Sequence, residues 1–213
     1  MDNHGCPLCR AEKTAHFHED SLRRYLRCPV CDLVFVPKEF HLAPDRERSR
    51  YDLHENSPDD PEYRAFLRRL IDPLLPHLQK GMKGLDFGSG PGPTLSKMMR
   101  QRGFEMEDYD PFYSEDSSVL ERRYDFIACS ETVEHFCEPH RSWELMLGLV
   151  RPGGVIGVMT DILDEETDFE KWHYIRDNTH VAFYSRKTFE WIAGRCYLSA
   201  NFHGRSVVLF EKS

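Results

Sequence analysis

No apolar run in these 213 residues approaches the roughly 20 that a membrane-spanning helix needs; the longest candidate is Val155–Met159. Positive charge is also scarce, with 28 Lys and Arg against 36 Asp and Glu for a formal net charge of −8. That field repels polyanions and disfavours bulk capture of nucleic acid, leaving only a local basic patch for such a purpose. The opening residues Met1-Asp2-Asn3-His4-Gly5-Cys6 lack the basic and apolar regions of a secretory signal, so the expected location is the cytoplasm. Internal repeats and low-complexity tracts are missing too. What remains, 40% hydrophobic and 30% charged residues, is globular composition, and the length suits one full domain plus a smaller one.

Cysteine is sparse and odd in number. Seven residues leave one over in any disulfide scheme, whereas four of them form two Cys-x-x-Cys pairs, Cys6/Cys9 and Cys28/Cys31, with 18 residues between the pairs. Each short loop can aim two thiolates at one point, and a hairpin joining the loops completes a tetrahedral zinc site. Leu22–Arg27 and Asp32–Val36 are the runs that would form this hairpin. About 40 residues bury little core, so a metal staple answers a stability deficit. Four reduced thiols without metal and rubredoxin-like iron are the rivals to zinc. The pattern resembles zinc ribbons, although Arg10 and Asp32 stand where many ribbon knuckles carry glycine. His16 and His18 are substitute ligands that a closed four-thiolate shell does not require. Cys129, Cys137 and Cys196 are scattered and expected to be small buried hydrophobes. Residues 1–50 hold nine Lys/Arg and eight Asp/Glu, net +1, so this end is the less repulsive one for an anionic partner. A ribbon that contacts nucleic acid or protein and a purely structural ribbon are both open.

Residues 38–58 are charged and irregular around Pro37 and Pro44, which divides the chain into a four-cysteine module at 1–44, a linker at 45–58 and a larger domain at 59–213. Tyr63, Phe66, Leu67, Leu70, Ile71 and Leu74 recur at helical spacing behind Asp59, Asp60 and Glu62, predicting an amphipathic helix interrupted by Pro73 and Pro76. Short apolar runs then alternate with helical patterns: Gly84–Phe87, Thr94–Arg102, Phe104–Tyr109, Tyr124–Cys129, His140–Val150 and Val155–Thr160. A helix near Ser185–Ala193 and two strand-like runs around His203-Gly204 close the chain. The fold class is therefore α/β, a Rossmann-like, mainly parallel, doubly wound sheet.

Gly84-Leu85-Asp86-Phe87-Gly88-Ser89-Gly90-Pro91-Gly92-Pro93 lies between the first strand of this sheet and the next helix, where a ligand meets backbone. A dinucleotide fingerprint counted from Gly88 would need glycine where Pro93 stands, and the Asp86 carboxylate would repel a phosphate. A ligand with an amino group and a sulfonium suits the loop better. The second strand ends at Asp110, 24 residues after Asp86, where a carboxylate can accept hydrogen bonds from two ribose hydroxyls. With Asp86-x-Gly88-x-Gly90-x-Gly92, Asp110, Tyr124-Asp125-Phe126-Ile127 and Leu149-Val150-Arg151-Pro152-Gly153-Gly154 in this order, residues 60–213 resemble class I S-adenosylmethionine-dependent methyltransferases. The resemblance implies a seven-stranded sheet with an antiparallel last strand. It also implies a cofactor site of Asp86, Gly88, Ser89, Gly90 and Gly92 for the methionine part, Asp110 for the ribose, with Pro111 and Ser130 beside them. Only 13 residues separate Asp110 from Tyr124, so the third strand is expected to be short or missing. Adenine contacts then fall to Asp116, Ser117, Ser118 or Leu120, with Tyr51, His54 and Asn56 as a cover.

Methyl transfer to a hydroxyl needs in-line positioning and removal of a proton. After the fourth strand comes Glu131-Thr132-Val133-Glu134-His135, whose Glu131, Glu134 and His135 would share one face of a helical turn. Farther on, Trp172-His173-Tyr174 and Asp177-Asn178-Thr179-His180 crowd the same edge. His180, His135 and Glu134 are the candidate catalytic residues, with Asp177 and Thr179 orienting His180. Trp172, Tyr174 and Phe183 are either an acceptor wall or core. Glu131, Glu134, His135 and His180 also make a candidate second divalent-cation site. Their pattern looks like the metal tetrad of 3′-terminal RNA 2′-O-methyltransferases, and its first part is similar to ubiquinone-pathway O-methyltransferases. The expected activity is S-adenosylmethionine-dependent methyl transfer, oxygen favoured, to a small-molecule or RNA acceptor. Zinc-bearing sugar C-methyltransferases keep carbon open as the acceptor atom. The alternatives are a nucleic-acid- or protein-binding ribbon on a cofactor-sensing scaffold without catalysis, and a nicotinamide oxidoreductase.

Overall fold

A computed structural model describes residues 4–53 and 57–212 of the protein, so His54 and Asn56 lie outside the described residues. The chain begins with three antiparallel strands, β1 (Ala15–Glu19), β2 (Arg24–Arg27) and β3 (Val34–Phe35). Leu26 pairs with Phe35, as the expected hairpin requires, while β1 adds an outer strand that the sequence pattern did not reveal. Its AHFHE sequence is mostly polar and exposed, so no alternation marks it. The two Cys-x-x-Cys turns are built alike: the Arg10 amide donates to the Cys6 carbonyl (3.0 Å) and the Asp32 amide to the Cys28 carbonyl (2.9 Å). Arg10 and Asp32 take the left-handed conformation (φ 62° and 63°) that glycine would adopt more cheaply.

Helix α1 (Pro44–Tyr51) occupies the first half of the stretch expected as a linker, with Pro44 as its first residue. None of its residues is fully buried, which is why its sequence reads as solvated connection. Helix α2 (Pro61–Leu74) is capped by Asp60, whose carboxylate accepts the Glu62 amide (2.8 Å). Pro73 lies inside its last turn without interrupting it, and a 3-10 turn at Leu75–His77 carries Pro76.

A regular alternation follows: β4 (Lys83–Phe87), α3 (Thr94–Arg100), β5 (Glu105–Tyr109), β6 (Tyr124–Ser130), α4 (Pro139–Leu149), β7 (Val150–Met159), β8 (Ala182–Phe183), α5 (Arg186–Cys196), β9 (Leu198–His203) and β10 (Val207–Lys212). Six of these strands form one sheet in the order β5-β4-β6-β7-β10-β9; the first four are parallel, and β10 alone runs opposite, pairing antiparallel with β7 on one side and β9 on the other. A 3-10 turn at Ser117–Glu121 stands between β5 and β6, and β5 is the edge, so the third strand of the resembled family is absent among the described residues.

Period-2 alternation sorts the sheet into two cores. Phe126, Met159 and Leu209 meet Leu67, Leu70, Ile71 and Leu74 of α2 and Met98 and Met99 of α3. Ile127, Val158, Val208 and Phe210 meet Trp143 and Met146 of α4 and Phe189 and Ile192 of α5. The ribbon does not stand apart from this body. Val34 and Phe35 of β3 pair with Phe183 and Ala182 of β8, and Cys6, Cys28 and Cys31 are buried in the same cluster as Trp143 and Phe189. Of the scattered cysteines only Cys129 is buried; Cys137 is exposed and Cys196 half-buried, contrary to the expectation for that pair.

Gly84 in β4 permits one very close approach, since a Cβ there would lie 2.2 Å from the Phe126 ring and 2.7 Å from the Met106 sulfur. Overpacking of this kind costs about 1–3 kcal/mol, or about 3–10 °C of Tm in a chain of this size. Gly84→Ala is expected to lower the melting temperature by that amount in scanning calorimetry, and an unchanged Tm would contradict the packing described.

Candidate active site

The carboxyl ends of β4, β5 and β6 open onto a cavity of about 840 Å³. At the tip of β4, Gly88 has φ +84° and a Cβ there would sit 2.3 Å from the Thr132 side chain, so no other residue fits. The Gly88 and Ser89 amides donate to the Tyr109 carbonyl (2.8 and 3.1 Å), which ties the loop to the end of β5. Asp110 completes that tie. Its Oδ2 accepts the Gly90 amide (2.9 Å) and its Oδ1 accepts the amides of Phe112 and Tyr113 (2.9 and 3.2 Å). Gly88, Ser89, Gly90, Asp110, Pro111 and Ser130 all line the cavity.

Asp86 and Gly92 do not line it. Asp86 is buried behind the loop with the Ser96 hydroxyl 3.5 Å away, and Gly92 turns the chain into α3 by accepting the Thr94 amide (2.6 Å). Asp116, Ser117, Ser118 and Leu120 are likewise outside the lining. The cover over this edge is instead Tyr51, whose ring lies 5.6 Å from Phe112 and 5.1 Å from His135. The Tyr113 hydroxyl donates to Asp52 (2.6 Å), and Arg50 pairs with Asp177 (3.5 Å), so α1 bridges the two sides of the opening. Glu47, Arg50, Tyr63 and Phe66 are lining residues that sequence reasoning missed. The two aromatics begin the apolar stripe of α2, and that placement was the only available signal.

On the β6 side, Glu131 and the residues after it do not form one helical turn. Glu131 has φ +48°, and a 3-10 turn covers only Val133–His135, so the expected common face breaks up. Glu131 and His135 line the cavity, while Glu134 is fully buried behind them. The Tyr174 hydroxyl connects the carboxylates, donating to Glu134 Oε1 at short range and standing 3.3 Å from Glu131 Oε2. Thr160 donates to Glu134 Oε2 (3.0 Å). Burial pushes Glu134 up to about 7, and burial followed by the nearby Glu134 charge pushes Glu131 well above the ordinary carboxylate range.

The two imidazoles have fixed tautomers. His180 Nδ1 donates to the Tyr174 carbonyl (2.8 Å) and His135 Nδ1 to the Thr179 carbonyl (3.1 Å); a carbonyl can only accept, so the lone pair of each ring is on Nε2. The ring centroids are 4.8 Å apart. Burial, then the neighbouring His135, lowers His180 to about 3, which keeps it neutral at pH 7. One ligand atom each of Glu134, His135 and His180 lies within 4.8 Å of the others, and Glu131 does not belong to this group. Tyr174 and His173 also line the cavity, whereas Phe183 is core and Trp172 packs on it.

The four cysteine sulfurs converge as well. Cys6 and Cys31 Sγ are 3.5 Å apart, Cys9 and Cys28 Sγ 3.4 Å, and all four lie within 4.8 Å of one another. A zinc ion with bonds of about 2.3 Å sets sulfurs about 3.8 Å apart in a tetrahedron, so this donor set fits one. His16 and His18 are not members of the cluster.

Residues 60–196 match a family described as a methyltransferase domain. The structure is similar to an O-methyltransferase family protein from Burkholderia thailandensis (TM-score 0.51, 15% identity), covering 78% of this chain and 63% of that one. It is similar to a protein from Pyrococcus horikoshii (TM-score 0.53, 15% identity; 78% of this chain, 99% of that one). A third likeness is to a 1,6-didemethyltoxoflavin-N1-methyltransferase from B. thailandensis, solved with 1,6-didemethyltoxoflavin and S-adenosylhomocysteine (TM-score 0.55, 12% identity; 93% of this chain, all of that one). Identities this low establish likeness of fold. No curated protein matches the sequence.

The buried acid behind the glycine loop has a pH consequence. Burial, then the Asp108 charge, pushes Asp86 up to about 8. In the unfolded chain an aspartate loses its proton near 4, so the folded state holds the extra proton between these values and stability falls as pH rises through them. Asp86→Asn carries no such proton. Its melting temperature relative to the parent protein is expected to rise as pH goes from 5 to 9 in scanning fluorimetry; a constant difference would refute the assignment.

Proposed function

Because the chain belongs to the methyltransferase domain family across residues 60–196, we propose that it methylates a hydroxyl of a small, aromatic-walled acceptor, using S-adenosylmethionine, and that its ribbon holds a structural zinc ion. One observation carries the reading: a single cavity has the glycine loop and Asp110 in one wall and Glu131, His135, Tyr174 and His180 in another. S-adenosylmethionine, when bound, supplies a methyl group on a sulfonium centre. Gly88, Ser89 and Gly90 present backbone to its amino-acid part, Asp110 and Pro111 border its ribose, and Ser130 lies between these and the acceptor. Asp86 acts from behind, bracing the loop rather than touching the ligand.

The proton of the acceptor hydroxyl goes to the His135 imidazole, while Nε2 of His180, kept neutral by burial, accepts the hydroxyl hydrogen bond and aligns it. Glu131, Tyr174 and Glu134 form a chain that can hold that proton, since burial brings Glu134 near neutrality. The acceptor class follows from the lining. Five carboxylates (Glu47, Asp110, Glu131, Glu138, Asp177) face two guanidinium groups (Arg50, Arg176), which favours a neutral or cationic small molecule over the end of a nucleic acid. One structural neighbour, an N1-methyltransferase, likewise has a small-molecule ligand, 1,6-didemethyltoxoflavin. The cytoplasm is the proposed location; no helix among the described residues is long and apolar enough to cross a membrane.

A second reading is favoured by the grouping of Glu134, His135 and His180 within 4.8 Å, since a carboxylate and two imidazoles are a donor set for a divalent cation. Titration with Mn2+ under NMR distinguishes the two: selective broadening of both imidazole signals supports the cation, and undisturbed signals support the metal-free base.

Asp110→Ala is expected to weaken S-adenosylhomocysteine binding about 10–100-fold in calorimetric titration, as losing a charged hydrogen-bond acceptor worth about 1.5–3 kcal/mol implies. Unchanged affinity would remove Asp110 from the cofactor site, and affinity for NAD in place of the adenosyl ligand would overturn the reading as a whole. His180→Ala is expected to abolish label transfer from methyl-labelled S-adenosylmethionine into acceptors in a fractionated cell extract, with cofactor affinity within about two-fold of the parent. Full retained transfer would exclude an essential role for this imidazole. No transfer by the parent protein into any fraction would favour the non-catalytic, cofactor-sensing alternative.

A further inference from the structure

Arg23 belongs to the ribbon, outside the family match, and it is buried (4% exposed) far from the cysteine cluster in function though not in fold. Its five N–H donors are all used. Nε donates to the Tyr25 hydroxyl (2.9 Å); Nη1 donates to the carbonyls of Asn178 (3.2 Å) and His180 (2.8 Å); Nη2 donates to those of Ile175 (2.8 Å) and Asp177 (3.0 Å). Four carbonyl dipoles of one loop thus meet the guanidinium charge. Asp20 is reached only through Tyr25, whose hydroxyl donates to Asp20 Oδ2 (2.7 Å). The same Asp20 accepts the Arg23 amide through Oδ1 (2.9 Å), so the β1–β2 turn orients the arginine from both ends.

The gripped loop is the one that sets both imidazoles. Thr179 and Tyr174 supply the carbonyls that fix the His135 and His180 tautomers, and the Val181 amide donates to the Glu134 carbonyl (2.8 Å). Ribbon strand β3 continues the hold. The Val36 amide donates to the Val181 carbonyl (2.9 Å), and Asp32, in the second cysteine turn, accepts the Ser185 hydroxyl (2.6 Å) that caps α5. Tyr25, Val34 and Val36 share a buried cluster with Tyr174, Ile175 and Phe183. A short loop with few apolar anchors of its own would otherwise open readily.

We propose that the four-cysteine ribbon is the internal strut of the acceptor side of this enzyme, with Arg23 as the positioning residue that holds residues 175–180 and hence His135 and His180. The metal at Cys6, Cys9, Cys28 and Cys31 then conditions the acceptor half of the site and leaves the cofactor half alone. The glycine loop and Asp110 take their hydrogen bonds from β4, β5 and the turn after it, none of which the ribbon provides. This rests on the proposed role of the two imidazoles, but the strut itself is tested without any acceptor.

The test uses full-length, zinc-loaded protein and its Arg23→Met and Arg23→Lys variants, with three readouts: amide hydrogen exchange, S-adenosylhomocysteine titration, and the imidazole Nδ1–H signals of His135 and His180 by NMR. In Arg23→Met, exchange at 175–183 is expected to rise at least about ten-fold while 84–90 and 124–130 stay as in the parent, with cofactor affinity within about two-fold and the His180 Nδ1–H signal lost to solvent exchange. Arg23→Lys keeps the charge but has three donors in place of five, so it is expected to fall between. Should Arg23→Met fail to fold, removal of zinc from the parent protein by a chelator reads the same coupling and is expected to give the same split between the two segments. Exchange that rises evenly along the chain, exchange at 175–183 that ignores both Arg23→Lys and zinc removal, or cofactor affinity that falls in step would each overturn the strut. A confirmed split with full label transfer by the Arg23 variants would leave the strut standing and refute the role given to the imidazoles.

Discussion

The glycine-loop side of the cavity depends on one carboxylate. Asp110 accepts three backbone amides, from Gly90, Phe112 and Tyr113, and so joins the glycine loop after β4 to the turn after β5. Parallel strands leave their carboxyl ends open, and without such a tie two adjacent loops would have to be ordered separately at a cost of about 1–2 kcal/mol per residue in backbone entropy. A charged acceptor shared by three donors also leaves lone-pair capacity for a further donor, which is what a ribose diol offers. Gly88 adds the second constraint, since the close approach of Thr132 leaves no room for a Cβ and so brings the β6 tip against the loop.

The opposite wall of the cavity is assembled differently. Its residues come from β6, from the segment before β8 and from α1, elements with no common regular hydrogen-bond ladder. The ribbon holds the segment before β8, through strand pairing of β3 with β8, a shared aromatic cluster around Tyr25, Phe169 and Phe183, and the Arg23 guanidinium. That segment in turn meets α1 through the ion pair of Arg50 with Asp177 and the residues after β6 through the Val181 amide. A buried guanidinium is costly unless every donor is met, and here all five are met by neutral oxygens. That requirement specifies one loop conformation, since any other arrangement of the carbonyls would leave donors unpaired.

Electrostatics give the two halves a common character. Asp86, Glu131 and Glu134 are carboxyls whose burial raises their proton affinity, and Asp110 borders the same cavity. Glu131 and Asp110 line this cavity while Asp86 and Glu134 stand behind it, so a ligand meets carboxyl oxygens that can exchange a proton locally and that offer little to a phosphate chain. The charge balance of the whole chain points the same way, but the local arrangement carries more weight, because screening weakens distant charges within about 10 Å.

The order of elements, the glycine loop, Asp110 as the end of a strand, the two Cys-x-x-Cys turns and the missing third strand were all legible in the sequence, because each depends on local spacing: period-2 apolar runs, turn residues at fixed offsets, and a 13-residue gap too short for a helix and a strand. Helix α1 and strand β1 were not, since neither buries an apolar face that a pattern could register. The place of Glu134 behind rather than in the cavity depends on Tyr174 and Thr160, residues farther along the chain that hold its carboxylate, and Asp86 is kept out of the lining beside Ser96 of α3. The sequence alone determined which chemical groups the protein owns and on which strand ends they fall. Only tertiary structure decided that the ribbon and the loop at 175–180 are one unit, because a buried arginine with five donors finds four of its acceptors more than 150 residues away, and no local periodicity records that search.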